Sequence, residues 1–277
     1  MIAISIFYIN YLTKAIYNNK LKCRYKGGFM TLADNVVGVI LAGGEGSRFK
    51  PYTDVIPKPM IPIGYDERPI LEHIICWLKK FNIFRFTFLV GYKWKQIRNY
   101  FGNGSRHGIK IQYSIDDEIY RGTGGALLKA FKYGFINDVV LIWYGDILAP
   151  IDVNNLINKH FTDNADAVIV LADRYQVPVG VAYIDSDKIV KLEEKPWLNI
   201  YVTIGVLTLN ISILKKVENY LGTSFDIMGD LIPWMISNGF VVKAYIYKGI
   251  WYDVGSLERY KKIDLESIKE FMCQYED

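Results

Sequence analysis

Residues Val36 to Pro62 read VVGVILAGGEGSRFKPYTDVIPKPMIP. The apolar run from Val36 to Leu41 has a strand pattern and ends at a glycine loop, Gly43-Gly44-Glu45-Gly46, followed by Ser47 and Arg48. Ten residues beyond Arg48, Lys58 stands between Pro57 and Pro59. Each part suits a polyphosphate. Glycines let backbone N–H groups come close to anionic oxygens, and a guanidinium is a planar fork of donors that matches phosphate. The prolines hold their own φ, and Pro59 also pushes Lys58 towards extended backbone, so the ammonium rides on a stiff mount. A glycine turn before a proline-rich surface loop is the plainer alternative. The pairing of loop and lysine favours a triphosphate cradle built for attack on phosphorus. Two better-known glycine signatures are excluded: no Gly-Lys-Ser/Thr follows at P-loop spacing, and a G-x-G-x-x-G starting at Gly44 would need glycine where Phe49 stands.

At these residues the chain resembles the sugar nucleotidyltransferases, also called nucleoside-diphosphate-sugar pyrophosphorylases, of the mannose-1-phosphate guanylyltransferase and glucose-1-phosphate thymidylyltransferase kind. Their opening motif is approximately L-A-G-G-x-G-T/S-R-L-x-P-L-T, then P-K-P-M-x-P. It stands here as Leu41-Ala42-Gly43-Gly44-Glu45-Gly46-Ser47-Arg48-Phe49-Lys50-Pro51-Tyr52-Thr53, then Pro57-Lys58-Pro59-Met60 and Pro62. The resemblance implies that Leu41, Ala42, Gly43, Gly44, Gly46 and Ser47 hold the nucleotide while Arg48 and Lys58 act on its phosphates.

Further matches follow in the family's order. Gly145-Asp146 and Trp251-Tyr252-Asp253-Val254-Gly255 resemble the two motifs that carry the family's metal-binding aspartates, with Tyr144 where Asn is usual. Asp146 and Asp253 are therefore expected to hold magnesium, an ion that prefers one or two carboxylates plus phosphate oxygens and water. Lys191-Leu192-Glu193-Glu194-Lys195-Pro196 resembles the sugar-binding E-K-P motif. By that match Glu194 takes sugar hydroxyls, Lys195 the sugar phosphate, and Gly205 lets the sugar approach the backbone, with Gly145 beside them. Gly122-Thr123-Gly124-Gly125 resembles the loop that borders the nucleobase, its glycines exposing backbone groups to the base edge. Glu118 upstream offers a carboxylate that accepts from guanine N1 and N2. The loop differs from that of the short thymidylyltransferases, which leans the reading to a GDP-mannose type, with UDP- or dTDP-glucose types as alternatives.

Composition limits the partners. At 277 residues, 51% hydrophobic and 22% charged, the chain is an ordinary globular one. Its net charge of +4 misleads, because residues 1–29 hold Lys14, Lys20, Lys22, Arg24 and Lys26 and no acid. Beyond them 28 basic residues face 29 acidic ones, so no polycationic surface for nucleic acid is expected. Cys23, Cys76 and Cys273 have no metal-binding spacing, and a reduced, cytoplasmic protein is the simplest expectation. His73 is expected on the polar side of a helix, and none of the three histidines is expected to be catalytic. Ile2 to Tyr17 is apolar but short of the roughly 20 residues of a membrane span, and Met30 is the expected translation start.

From Val36 onward strands alternate with helices, for example Ile70, Leu71, Ile74, Ile75 and Leu78 on one helical stripe. This predicts an α/β fold: a Rossmann-like, mostly parallel, mixed sheet with helices on both faces. An inserted sugar-binding β-region is expected to carry a hairpin turning at Asp185-Ser186-Asp187. That triplet fits the D-x-D of glycosyltransferases in letters but reads as a turn. The expected organisation is an N-terminal extension over 1–35, a nucleotidyltransferase domain over 36–262 and a closing helix over 263–277. No hexapeptide array follows, so no C-terminal left-handed β-helix is expected. The expected substrates are a nucleoside triphosphate and a hexose 1-phosphate; a homo-oligomer is open, and a non-catalytic nucleotide-sugar-binding subunit is the rival reading.

Overall fold

A computed structural model describes residues 36–273 and, before them, only the backbone of a short ladder pairing Arg24–Tyr25 with Gly28–Phe29. The expectations for 1–35 otherwise lie outside the described residues.

The centre is a seven-stranded sheet. Its strands are β1 (Val37–Ala42), β2 (Arg85–Val90), β3 (Lys110–Ile115), β4 (Val139–Tyr144), β6 (Ala167–Ala172), β9 (Val202–Asn210) and β10 (Val242–Tyr247). Their order across the sheet is β10-β6-β9-β4-β1-β2-β3, and β9 alone runs antiparallel to its neighbours. Parallel neighbours need crossover helices, which cover both faces. On one face α1 (Ile70–Lys79), α2 (Trp94–Phe101) and α4 (Val153–Thr162) pack their apolar stripes on Ile40, Phe88, Leu141 and Trp143. On the other, α3 (Gly122–Lys132), α5 (Leu214–Leu221) and α6 (Ile232–Ser237) pack on Val39, Val140, Ile142 and Leu207. The doubly covered sheet is the one expected.

Outside the sheet, β7 (Gly180–Asp185) and β8 (Lys188–Glu194) form the expected hairpin, turning at Ser186, which takes φ +56°. A short ribbon pairs β5 (Ile147–Leu148) with β11 (Tyr252–Asp253). Helix α6 restarts at Ile232 after a π-helical turn over Ile227–Leu231, because Pro233 cannot continue the hydrogen-bond ladder of an unbroken helix.

Three expectations change. Among the described residues the closing helix is only α7 (Leu257–Tyr260) and a single 3-10 turn at Glu266–Ile268. The chain there needs to bend so that Phe271 can pack against Trp77 and Trp143. Cys76 and Cys273 are joined in a disulfide, their Cα atoms 5.6 Å apart, in place of the reduced thiols expected. Spacing gave no sign of this pair because 197 residues separate them. His73, expected on a polar face, is buried: Nε2 donates to the Ile63 carbonyl at 3.0 Å and Nδ1 accepts from Cys273 N–H at 3.0 Å. Burial pushes its pKa down, and both bonds suit the neutral ring. No described helix is long and apolar enough to cross a membrane.

Candidate active site

A cleft of about 360 Å³ opens where the carboxyl ends of β1, β2, β3 and β4 meet the start of α3. Sheets of this type bind ligands at that edge. The glycine loop forms one wall. The Gly46 carbonyl accepts from Thr53 Oγ1 at 3.0 Å and Phe49 N–H at 2.8 Å, while Gly43 O takes Tyr92 N–H at 2.9 Å. The loop is thus tied at both ends. Leu41, Ala42, Gly43, Gly44, Gly46 and Lys58 line the cleft, as expected, whereas Ser47 and Arg48 lie on its exposed rim with Phe49 buried behind them.

The opposite wall brings the charges together. Gly145 N–H donates to Leu41 O at 2.9 Å, which carries the β1–β4 pairing one step past the strand and sets Asp146 beside the loop. Lys58 Nζ donates to the Asp146 carboxylate, and both side chains are largely shielded from water. The β5–β11 ribbon pairs Asp253 with Ile147, and Val254 N–H donates to Asp146 O at 2.9 Å. Two carboxylates 107 positions apart in sequence are therefore neighbours. Burial, and next the charge of Asp146, push the Asp253 carboxyl above the usual range; Arg259, Lys58 and Arg48 pull it back. Arg259 also donates directly to Asp253.

This donor set fits magnesium. No cluster of three or more acidic, cysteine or histidine ligands exists among the described residues. An ion here would take two carboxylates from the chain and the rest from phosphate and water, the pattern this ion favours.

The base side departs from expectation. Glu118 is exposed and outside the cleft, its carbonyl taking Arg121 Nε at 3.1 Å. The acid that lines the cleft is Asp116, held at the end of β3 by Asp116 N–H to Val90 O at 2.8 Å. Its carboxylate lies on bare backbone: a Cβ at Gly43 or Gly91 would come within 2.5 or 2.2 Å of Oδ2. Asp116 is itself exposed at the cleft mouth, and partial desolvation of its carboxyl against the two glycines pushes it up, opposed by Lys129. Between the two, Asp117 accepts from the N–H groups of Ile119 and Tyr120, both at 2.9 Å, and pairs with Lys129 at 2.7 Å. That turn swings Glu118 away. The strand end after Ile115 was the signal that favoured Asp116.

The second glycine loop is itself the first turn of α3, and the amides of Thr123, Gly124 and Gly125 are already used. Gly124 and Gly125 N–H donate to Phe225 O at 2.9 and 3.1 Å, and Thr123 N and Oγ1 both donate to Asp226 Oδ1 at 3.0 Å. A Cβ at Gly124 would stand 2.2 Å from the Phe225 ring. These glycines admit the 223–226 segment. Gly122 and Thr123 do line the cleft, joined by Asp226 and Tyr144, which sequence reasoning did not place there.

The sugar residues stand apart. Glu194 and Lys195 are exposed at the base of the hairpin, 3.6 Å from each other, outside the cleft lining. The field of Lys195 reaches Glu258 on α7, near the Asp253 rim. Gly145 lines the cleft, while Gly205 lies behind the Tyr144 ring.

The family described as Nucleotidyl transferase matches residues 37–270. A D-glycero-alpha-D-manno-heptose 1-phosphate guanylyltransferase of Aneurinibacillus thermoaerophilus is 32% identical over 238 residues, 82% of this chain and 96% of the relative. A UTP–glucose-1-phosphate uridylyltransferase of Synechocystis sp. is 28% identical over 80% of this chain, which spans only 61% of that relative's length. Among solved structures, HddC from Yersinia pseudotuberculosis complexed with GMP-PN is 26% identical at TM-score 0.63, covering 85% of this chain and 99% of that one. A putative glucose-1-phosphate thymidylyltransferase from Bacillus anthracis, 23% identical at TM-score 0.68 over 87% of this chain and 98% of that one, shares the fold.

Proposed function

The chain belongs to the nucleotidyl transferase family, and from that premise we propose that it transfers a guanylyl group from GTP to a manno-configured sugar 1-phosphate, giving a GDP-sugar and pyrophosphate. The observation that carries the reaction is the meeting of Lys58, Asp146 and Asp253 at the end of the glycine loop. A phosphate oxygen of the sugar 1-phosphate attacks the α-phosphorus, the bond to the β-phosphate oxygen breaks, and pyrophosphate leaves. No covalent enzyme intermediate is needed, so the work is alignment and charge stabilisation. Lys58 holds the α-phosphate, Arg48 on the rim meets the departing pyrophosphate, and Lys195 holds the incoming phosphate. Asp146 and Asp253 would hold magnesium, which when bound neutralises the phosphates and weakens their repulsion.

The base assignment rests on Asp116. A carboxylate is acceptor-only when ionised, and guanine offers adjacent N1–H and N2–H donors to it. Leu41, Leu89 and Ala126 supply flat apolar walls for a purine in the same cleft. The guanylyltransferase relative and the GMP-PN complex of HddC support the same base, and the manno configuration of the first supports the sugar. The Synechocystis relative favours a second reading, uridylyl transfer to glucose 1-phosphate.

The test is pyrophosphate release with magnesium across GTP, UTP, dTTP, CTP and ATP against mannose, glucose and N-acetylglucosamine 1-phosphates. Release centred on GTP with mannose 1-phosphate is the expected result. Release centred on UTP with glucose 1-phosphate replaces it with the second reading. Silence from folded protein that binds a GDP-sugar points to a regulatory subunit.

A further inference from the structure

Both ends of the first glycine loop are fastened to one residue, Tyr92. Strand β1 pairs with β2 from Gly38 opposite Phe86 to Ala42 opposite Val90. The pairing continues once more beyond the end of β2, where Tyr92 N–H donates to Gly43 O at 2.9 Å. Lys93 then takes φ +50° and turns the chain into α2. The Tyr92 hydroxyl reaches the far end of the loop and donates to Thr53 O at 2.8 Å. The stretch from Gly43 to Thr53 is thus closed by the amide and the phenol of a single residue.

Thr53 passes the constraint inward. Its side chain is fully buried, and its hydroxyl donates to Gly46 O at 3.0 Å. Gly46 takes φ +64°, and a Cβ there would stand 3.0 Å from Thr53 Cγ2 and 3.1 Å from Lys58 Cβ. Gly46 is therefore wedged between those two side chains. Phe49 is a further anchor, buried and in edge-on contact with Tyr260. The apex is open by contrast: Gly44, Glu45, Ser47 and Arg48 are exposed, and a Cβ at Gly44 would meet nothing within 4 Å. An apex this open keeps its shape through its fastenings. Donors held in place in advance bind an anion without a further ordering cost.

We infer that Tyr92 is a positioning residue for the nucleoside triphosphate: it holds the loop in the shape that grips the outer phosphates, without touching them. The inference rests on the nucleotidyl-transfer reading above, which puts the α-phosphate on Lys58 and the departing pyrophosphate at Arg48. Tyr92 lies outside the cleft lining, so its hydroxyl acts through Thr53. Removing that hydroxyl leaves Thr53 O without its donor and the loop with one fastening on Tyr92 in place of two. The loss falls on the β- and γ-phosphates, which meet the open apex. The α-phosphate is affected less, because Lys58 is mounted separately between two prolines.

The experiment compares the wild-type chain with Tyr92→Phe, which keeps the ring and the amide, and with Gln96→Ala. Gln96 Nε2 donates to Val55 O at 2.8 Å, so its loss breaks another bond from α2 but leaves the Gly43–Thr53 closure intact. Equilibrium binding with magnesium is measured for GTP and UTP and for GMP and UMP, which removes the choice of base from the result. Tyr92→Phe should weaken triphosphate binding by roughly 3- to 10-fold, the range of one lost hydrogen bond, and monophosphate binding by less than about twofold. Hydrogen exchange in the ligand-free protein should quicken over residues 44–53 and stay at wild-type rates in α1. Gln96→Ala should leave triphosphate binding within about twofold of wild type. Equal losses for tri- and monophosphates, unchanged exchange over 44–53, or an equal effect of Gln96→Ala overturns the inference. Triphosphate binding unaltered in Tyr92→Phe overturns this inference alone, whereas a wild-type chain that binds no triphosphate overturns the transfer reading and this inference with it.

Discussion

The nucleotide cleft and the sugar hairpin are built on opposite terms. The cleft is the end of a sheet buried on both faces, and its charged groups are fixed to strand ends, ribbon pairs and tied loops. The β7–β8 hairpin touches little. Ile184, Ile189 and Leu192 leave one side of it apolar and open, at 61–69% exposure. Its other side is held by local contacts: Tyr183 Oη donates to Glu193 at 3.0 Å, and Lys191 lies 5.2 Å over the Tyr183 ring. An isolated two-stranded hairpin is marginal in water. The groups proposed to act on the triphosphate are therefore preassembled, while Glu194 and Lys195 are exposed at the end of a hairpin held mainly by its own contacts.

The largest expected effect lies on the rigid side. Lys58→Ala should lower kcat for pyrophosphate release by roughly 10²–10³-fold, with circular dichroism and Tm close to wild type; near-normal turnover would break the contrast. Asp253→Asn should lower kcat by roughly 10²-fold yet raise Tm without divalent metal, as far as the lost Arg259 pair does not offset it. The sign follows from its raised carboxyl. Such a group favours the folded state below its ordinary pKa and loses that benefit as pH rises through the folded value. The Tm gap between variant and wild type should then open above the ordinary aspartate range, which a Tm series across pH would follow. Asp116→Asn should cut the preference for GTP over UTP by about tenfold with Glu118→Gln unchanged; equal effects would return the base contact to the exposed turn. The smallest change concerns the hairpin. Lys195→Ala should raise KM for the sugar 1-phosphate by roughly tenfold, leaving KM for GTP and, within about 0.5 kcal/mol, stability as they were. A loss confined to kcat would mean Lys195 is already positioned, and the contrast would fail.

What was legible from residues follows the same division. The strand-to-glycine-loop transition at Leu41-Ala42-Gly43 and the proline-mounted Lys58 are local, so backbone chemistry alone announces them. Asp146 and Asp253 were found through short motifs that sit on strand ends. Asp116 was missed in favour of Glu118 because three acids in a row look alike until the Asp117 turn shows which one faces in. Asp226 was missed because it reaches Thr123 from 103 residues away. Tyr144 was seen only as a replacement for Asn, since nothing local reveals that β9 bulges beneath it.

By itself the sequence determined the doubly covered sheet, the hairpin and the glycine loop with its proline-mounted Lys58, because periodicity, prolines and glycines act within a few residues of where they stand. Tertiary structure alone decided that Cys76 meets Cys273, that His73 is buried, that the α3 glycines accommodate Phe225, and that Tyr144 covers Gly205. Each of these is a contact between segments distant in sequence. Such contacts depend on which surfaces the packed helices and strands bring within van der Waals or hydrogen-bonding range, a distance that no local pattern encodes.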